Sequence, residues 1–505
     1  MIPTKLSATC HQISKSSIPT KFNTLNGTGL VAPTKLLQPY IPRLAFACPS
    51  DQGRARKVSA MKTNVVKVGA QRLGGFEQAK DEGFRLERWN IDAASDADLL
   101  KLQDAAAYLR SSDVPVAFPT ETVYGLGADA TRTAAVKGIY QAKGRPSDNP
   151  LIVHVCDLEM LRELLTPLGV TNSPDEDAIP SIYKPLIGRF WPGPLTILLR
   201  SPQPSRLAPE VTAGLPSFGA RMPNQQLALS LIKLAGAPLA APSANASTRP
   251  SPTTAQHVLE DLDGKIEVIL DGGPCDVGVE STVVDGLCDP PVILRPGGVS
   301  MDELRECPGW ERVERAYKDK SEVGKAAPRA PGMKYMHYSP KARVVLYESS
   351  FKQGDAGISL DDIASYILPS ENRTSAQLTN GCIEARKTIG VIRTRRWPRG
   401  GGLSCQNIKQ CESLEGSSLG ENGTRASYDI FEGELRSEVG MVICRVVDID
   451  LGRDIRGIAH GVFSAFRDLD RRGVDIIFVD GLEDNLDIAA AVMNRLRKAA
   501  WKIRA

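Results

Sequence analysis

No run of apolar residues in this chain approaches the ~18 that a helix needs to cross a bilayer, so no membrane span is expected. There is no Cys-x-x-Cys pair. The ten cysteines are scattered and the five histidines equally dispersed, without the close ligand spacing of a zinc site or a disulfide framework. Reduced thiols and no metal site of the protein's own are therefore expected. Also missing are a Gly-x-Ser-x-Gly nucleophile elbow, a His-Glu-x-x-His pair, a Walker A loop and the Rossmann glycine fingerprint. Without an obvious nucleophile, the favoured chemistry is one in which substrates attack each other while the protein aligns them and stabilises charge. Acidic residues are scarce only at one end: residues 1–76 hold eleven Lys/Arg against a single acid, Asp51, and the rest carries 51 basic against 58 acidic residues. A mildly acidic body with 6% aromatics is not built to coat nucleic acid.

What is present is enough chain, 505 residues with 42% hydrophobic and 24% charged, for two or three domains with substantial cores. Residues 1–76 read as a disordered basic extension, rich in Ser, Thr and Lys. This composition fits a transit peptide for the mitochondrion or chloroplast, and an untargeted tail is the alternative. Met61 offers a second start that would give a cytoplasmic form. Residues 94–305 read as an α/β domain on a twisted mixed sheet. Its first helix carries Leu99, Leu102, Ala106 and Leu109 and stops at Ser111-Ser112. The strand Val114–Phe118, a helix near Thr133–Ala142 and the strand Leu151–Val155 follow, with further strands reaching Val292–Arg295. Residues 306–342, rich in charge and then in proline, read as an ordered linker. Residues 343–505 read as a smaller Rossmann-like α/β domain with a helix over Val462–Arg472 and a flexible insertion at 394–427.

Two phrases, FPTETVYGLG from Phe118 and KGRPSDNPLIVH from Lys143, place polar groups too specifically for packing alone. Lys143 and Arg145 flank a glycine in a turn ahead of a strand, where α/β folds gather ligand-binding loops. A lysine offers phosphate a point charge and an arginine a planar fork, and Asn149 can both donate and accept. The bland reading, a solvated basic loop, fits the fixed Gly and Pro less well. A second constellation, PLAAPSANASTRPSPT, sets Ser243, Asn245, Arg249 and Ser251 after an apolar strand, where small residues let backbone N–H groups approach a ligand. Arg221 and Arg295 end strands, and Ser281 heads one. His154 lies inside an apolar strand, where a satisfied core role is the more common one. Glu121 is equally readable as a base or as a turn acid.

In this order FPTETVYGLGADA, KGRPSDNPLIVHV, FWPGPLTILL, APSANASTRPSPT, ESTVVD and ILRPGG resemble the YrdC-type domain of threonylcarbamoyl-AMP synthases. APGMKYMHYSPKA and AVMNRLRKAA resemble the long two-domain form of that family. The resemblance implies an ATP-, bicarbonate- and magnesium-dependent nucleotidyltransferase. A threonine carbamate would attack the α-phosphate of ATP, and a separate transferase would pass the threonylcarbamoyl group to tRNA. It implies threonine contacts at Thr122, His154, Ser243 and Ser281, with Arg221 near the carboxylate. ATP contacts would fall on Arg145, Asn149, Ser217, Ala241, Asn245, Ser251 and Arg295, with Lys143 countering phosphate charge and Tyr338 covering the nucleotide. Tight tRNA binding is not required, and any tRNA contact would be weak or transient. Two rivals remain. A double-stranded-RNA-binding module without adenylating activity is disfavoured by the acidic body. A carbamoyl-phosphate-using maturation factor would carry paired-Cys zinc motifs, which are missing.

Overall fold

The computed structural model describes residues 61–69, 73–77, 85–91, 97–170, 177–316, 337–367, 387–412, 428–484 and 488–505. Buried apolar strands dictate the first sheet. Val116–Phe118 is buried throughout, and Leu195–Arg200 is buried except at its last residue, the continuous pattern of strands covered on both faces. Among the described residues the sheet has eleven strands. Their order is Asn64–Lys67, Val268–Asp271, Val116–Phe118, Gly125–Asp129, Leu239–Ala240, Ile152–His154, Ser217–Arg221, Leu195–Arg200, Thr282–Asp285, Val292–Arg295 and Glu314–Arg315. Parallel and antiparallel neighbours mix, as expected of direct strand connections interspersed with helices. The helix Ala97–Ser111 covers the sheet with Leu99, Leu102, Ala105, Ala106 and Leu109, a stripe at three- and four-residue spacing.

The second sheet has seven strands in the order Cys405–Cys411, Asp429–Arg436, Val442–Asp450, Thr388–Arg393, Ile476–Asp480, Arg343–Tyr347 and Lys502–Arg504, the last five mutually parallel. At the carboxyl edge, where Rossmann-like sheets usually take a ligand, the fully buried Asp480 carboxylate accepts from the backbone N–H groups of Thr394, Arg396 and Trp397. It also accepts from the Thr394 hydroxyl and the Arg396 guanidinium. The helix Ile455–Arg471 is buried almost all round because it serves two cores. One face lies on its own sheet. The other meets the first domain: Ser464 Oγ is 3.0 Å from Thr253 Oγ1, Arg467 donates to Asp261 at 2.9 Å and to the Pro250 carbonyl at 2.5 Å, and Arg471 donates to Glu260 at 2.7 Å. Gly278 (φ +80°) lies against the His460 backbone, and any Cβ there would collide with it. No helix among the described residues is long and apolar enough to cross a membrane.

Four expectations need correction. The extension called disordered to residue 76 holds ordered chain: Asn64–Lys67 is an edge strand parallel to Val268–Asp271, and Gly74–Phe76 pairs with Trp89–Ile91. The first strand is short and largely exposed, so its register comes from its neighbour and not from its own pattern. The first domain does not stop at 305. A capping box of Ser300 and Glu303 starts the helix Met301–Arg305, Trp310 is fully buried, and Glu314–Arg315 adds the eleventh strand. The insertion at 394–427 is not all flexible, because Cys405–Cys411 pairs antiparallel with Asp429–Arg436; being polar and half exposed, this edge strand carried no alternation to read, and 413–427 lies outside the described residues. The late helix begins at Ile455, two turns before Val462, capped by the Asp454 side chain on the Gly457 N–H. Its early glycines hid the start.

Thr63 bonds to the Ile266 carbonyl and the Gly264 N–H, and Val68 is 4% exposed. A chain beginning at Met61 should therefore melt like the full-length protein. One beginning at Gly69 should lose about 2–4 kcal/mol, from one buried valine and a ladder of backbone bonds. Thermal and urea melts of the two truncations decide; equal stability would mean that the edge strand contributes nothing.

Candidate active site

Where the central strands of the first sheet end, their side chains close around an open cavity of about 520 Å³, counted out to its mouth. One wall is set by the turn after Val116–Phe118. Thr120 Oγ1 bonds to the Val123 carbonyl (2.7 Å) and to Thr122 Oγ1 (2.9 Å), fixing the turn. Arg221, at the end of its strand, donates to Thr122 Oγ1 at 2.9 Å and to the Gly193 carbonyl at 3.2 Å, and pairs with Glu121 at 2.7 Å. The structure thereby resolves Glu121: it is the buried counter-ion of Arg221. His154 stands beside Arg221 in parallel register, 3% exposed, with its Nδ1 unpartnered. Burial and then the Arg221 charge hold its pKa at about 3, so the ring is neutral and its free nitrogen is available to a ligand.

Another stretch of the wall is cationic. Helix Thr133–Lys143 ends on Gly144, whose left-handed conformation (φ +60°) closes the helix and turns Arg145 into the cavity. Arg145 donates to the carbonyls of Asn149 and Pro150; burial lowers its pKa to about 10, which leaves it charged at neutral pH. Arg295 grips the Ser281 carbonyl and hydroxyl (2.9 and 3.1 Å), and Ser281 Oγ also meets Thr196 Oγ1 at 2.8 Å. Ala241 and Ser243 complete this side. Tyr338, in the left-handed region (φ +65°) and 1% exposed, closes the cavity between His337 and Phe463, with ring centroids 4.2 and 5.4 Å away.

The structure does not bring every expected residue to the cavity wall. Lys143 is not a loop cation free to meet phosphate. It is the last residue of its helix, buried, and its three N–H donors go to the carbonyls of Ser243 and Asn245 and to Asn245 Oδ1. Asn245 likewise spends its amide on the carbonyls of Ala246 and Arg249. These two build the turn that presents Ser243. Ser251 acts at one remove, donating to Glu280 at 2.5 Å. Asn149 is buried behind Arg145 with its Oδ1 unpartnered. Ser217 lines a different cleft, with Arg200, Leu215, Pro216 and Asp285. By strand register (Ile152 opposite Gly219) that end of the strand runs beside the Asn149–Pro150 entry.

Three residues on or behind the wall escaped the sequence reading: Glu280, His337 and Arg495. Each sits inside a motif already quoted, but nothing in a linear motif says that residues 215 positions apart meet. For magnesium the fit is partial. No group of three or more His, Cys, Asp or Glu that could hold a metal exists among the described residues, and Glu280, the carboxylate on the cavity wall, already accepts from Ser251 and Arg495. A magnesium ion would have to be held mainly by phosphate oxygens and water.

Comparison with known proteins agrees with this geometry. A family model described as "Telomere recombination" matches residues 109–297, and one described as "Threonylcarbamoyl-AMP synthase, C-terminal domain" matches 299–501. The chain is 42% identical to the threonylcarbamoyl-AMP synthase of Schizosaccharomyces pombe, over 87% of this chain and 98% of that one. It is 38% identical to the Bacillus subtilis synthase, over 83% and 98%. Among solved structures it resembles Pyrococcus abyssi Sua5 complexed with L-threonine, with a TM-score of 0.60 and 34% identity, covering 87% of this chain and 99% of that one.

His154 and His337 are both neutral in the folded state, each with a pKa near 3, chiefly through burial. A histidine whose folded pKa is depressed costs stability as pH falls below its unfolded value of about 6.5. Protonation of His154 in the unfolded chain should remove stability progressively between pH 6.5 and pH 3, by roughly 3 kcal/mol at pH 4.5. A His154→Asn variant should show a correspondingly shallower acid dependence in urea melts at pH 7, 6 and 5. An unchanged slope would show that His154 is charged in the folded protein.

Proposed function

The chain belongs to the threonylcarbamoyl-AMP synthase family, in its two-domain form, and we infer that it joins L-threonine, bicarbonate and ATP into threonylcarbamoyl-AMP with release of pyrophosphate. The observation that carries this reading is the division of one cavity into two unlike walls. Neutral His154 and the Glu121-paired Arg221, which also grips Thr122, form one wall, and Arg145 and Arg295 the other. The first suits an amino acid. Arg221 keeps a cation for the carboxylate, while its pairing with Glu121 prevents excess positive charge. His154 can accept a hydrogen bond that an imidazolium could not. The second suits a triphosphate, because two arginines are held by carbonyls in fixed orientation before any ligand arrives.

The chemistry then needs no protein nucleophile. The neutral threonine amine bonds to the carbon of bicarbonate or carbon dioxide, giving the carbamate; water leaves when bicarbonate is used, and a proton leaves the nitrogen when carbon dioxide is used. A carbamate oxygen attacks the α-phosphorus, the bond to the bridging oxygen breaks, and that oxygen leaves on pyrophosphate. Ser243 and Ser281 also line the cavity, and we assign to them the place where the carbamate and the α-phosphate would meet. This is nucleotidyl transfer, with magnesium travelling on the triphosphate. We assign the base to the end toward Asn149 and Ser217, and Tyr338 to closing the site over the nucleotide. The intermediate would pass to a separate tRNA-modifying transferase, and the basic segment ahead of residue 61 would serve as an organelle address.

Incubation with ATP, magnesium, bicarbonate and labelled threonine should give threonine-dependent pyrophosphate and a labile labelled adenylate. Pyrophosphate formed equally without threonine, or none at all, would sink the reading. Arg145→Ala should lower kcat/KM for ATP by about 100-fold or more, the scale of one preorganised donor, while threonine binding measured by calorimetry stays close to wild type. Parallel loss of threonine binding would place Arg145 in the scaffold and not on the nucleotide.

A further inference from the structure

Glu280 is a carboxylate on the wall of a cavity whose other charged groups, Arg145, Arg221 and Arg295, prepare it for anions. Left alone, it would repel a triphosphate. It is not left alone: Oε1 accepts from Ser251 at 2.5 Å, and Oε2 accepts from Arg495 Nε at 2.9 Å. Arg495 comes from helix Ile488–Ala499 of the second domain and is completely buried. Further contacts fix it: the Pro296 carbonyl at 2.5 Å, the Ala491 carbonyl at 3.4 Å, the Glu280 carbonyl at 3.5 Å, and the Tyr338 ring with its centroid 5.7 Å away. Burial opposes ionisation of Glu280, but Arg495 and then Arg295 hold its pKa at about 2. Lys143, His337 and Tyr338 also feel its charge.

We propose that Arg495 is a positioning residue for adenylation: by neutralising and orienting Glu280 it lets the first domain accept a polyanion, and this is a contribution of the second domain to the site. The proposal rests on the reading of ATP as substrate. Removing one member of a buried pair leaves an uncompensated charge, whereas removing both restores neutrality. The two kinds of variant therefore separate charge balance from direct contact.

The test uses the full chain, with ATP titrated by calorimetry and steady-state KM and kcat measured alongside. Arg495→Met should weaken ATP binding by about tenfold or more and raise KM for ATP more than it lowers kcat, because Glu280 then faces the phosphates unpaired. Glu280→Gln, which still accepts from Ser251, should bind ATP within about twofold of wild type or more tightly. The double variant E280Q/R495M should recover to within about threefold of wild type. A double variant as weak as R495M would mean that Arg495 touches the nucleotide itself; an E280Q as weak as R495M would mean that Glu280 is itself needed by the ligand. Either overturns the proposal. If R495M does not fold, the double variant decides: folded and ATP-binding supports the proposal, unfolded overturns it. Inorganic pyrophosphate is titrated in parallel as a polyanion that owes nothing to adenylation. Wild type binding pyrophosphate but not ATP would refute the substrate reading while still leaving the pair to be judged.

Discussion

The constraint on which the site depends is the need to hold several guanidinium groups out of water before a ligand is present. Arg145, Arg221, Arg295 and Arg495 are all less than a tenth exposed. A buried charge is tolerable only when paired and hydrogen-bonded. Each has been given a different solution. Arg145 has two main-chain carbonyls, Arg221 has Glu121 with a threonine hydroxyl, Arg295 has the Ser281 carbonyl and hydroxyl, and Arg495 has Glu280 with the Pro296 carbonyl. Carbonyls satisfy donors without cancelling charge. Arg221 and Arg495 each have a carboxylate in direct contact, Arg145 is held by two carbonyls, and Arg295 feels the Glu280 charge besides its grip on Ser281.

That division explains why the second domain is pressed so tightly onto the first. Its two long helices deliver Arg467 and Arg495 to opposite sides of the same loops. Arg467 bonds to the Pro250 carbonyl just before Ser251, and Arg495 bonds to Glu280, which in turn accepts from Ser251. Ser251 is thus pinned from both directions by a domain that contributes no group to the threonine wall. The close backbone approach at Gly278 lets the helix carrying His460 sit near enough for this.

Much of this could be read from the sequence, and the exceptions are instructive. Val116–Phe118 was legible because a strand buried on both faces is apolar without interruption, and Thr282–Asp285 because its valine pair follows the polar Glu280-Ser281 turn. Asn64–Lys67, Glu314–Arg315 and Cys405–Cys411 were not, because edge strands are short, polar or half exposed and take their register from a neighbour. The residue types around the cavity were legible through resemblance, but their roles were less so. Lys143 looks like a phosphate contact in a linear motif and is a turn-builder in space. Glu121 had two equal readings until Arg221, one hundred positions on, supplied its partner. Glu280 and Arg495 had no reading because charge pairing across 215 positions leaves no local trace.

The smaller sheet fills its own carboxyl edge. The nest of backbone N–H groups at its carboxyl edge, the place where a related architecture would seat a phosphate, is filled by the carboxylate of Asp480. A nucleotide arriving there would meet an anion already bound and a guanidinium, Arg396, already neutralised. The chain therefore supplies its own anion to the backbone donors at this edge.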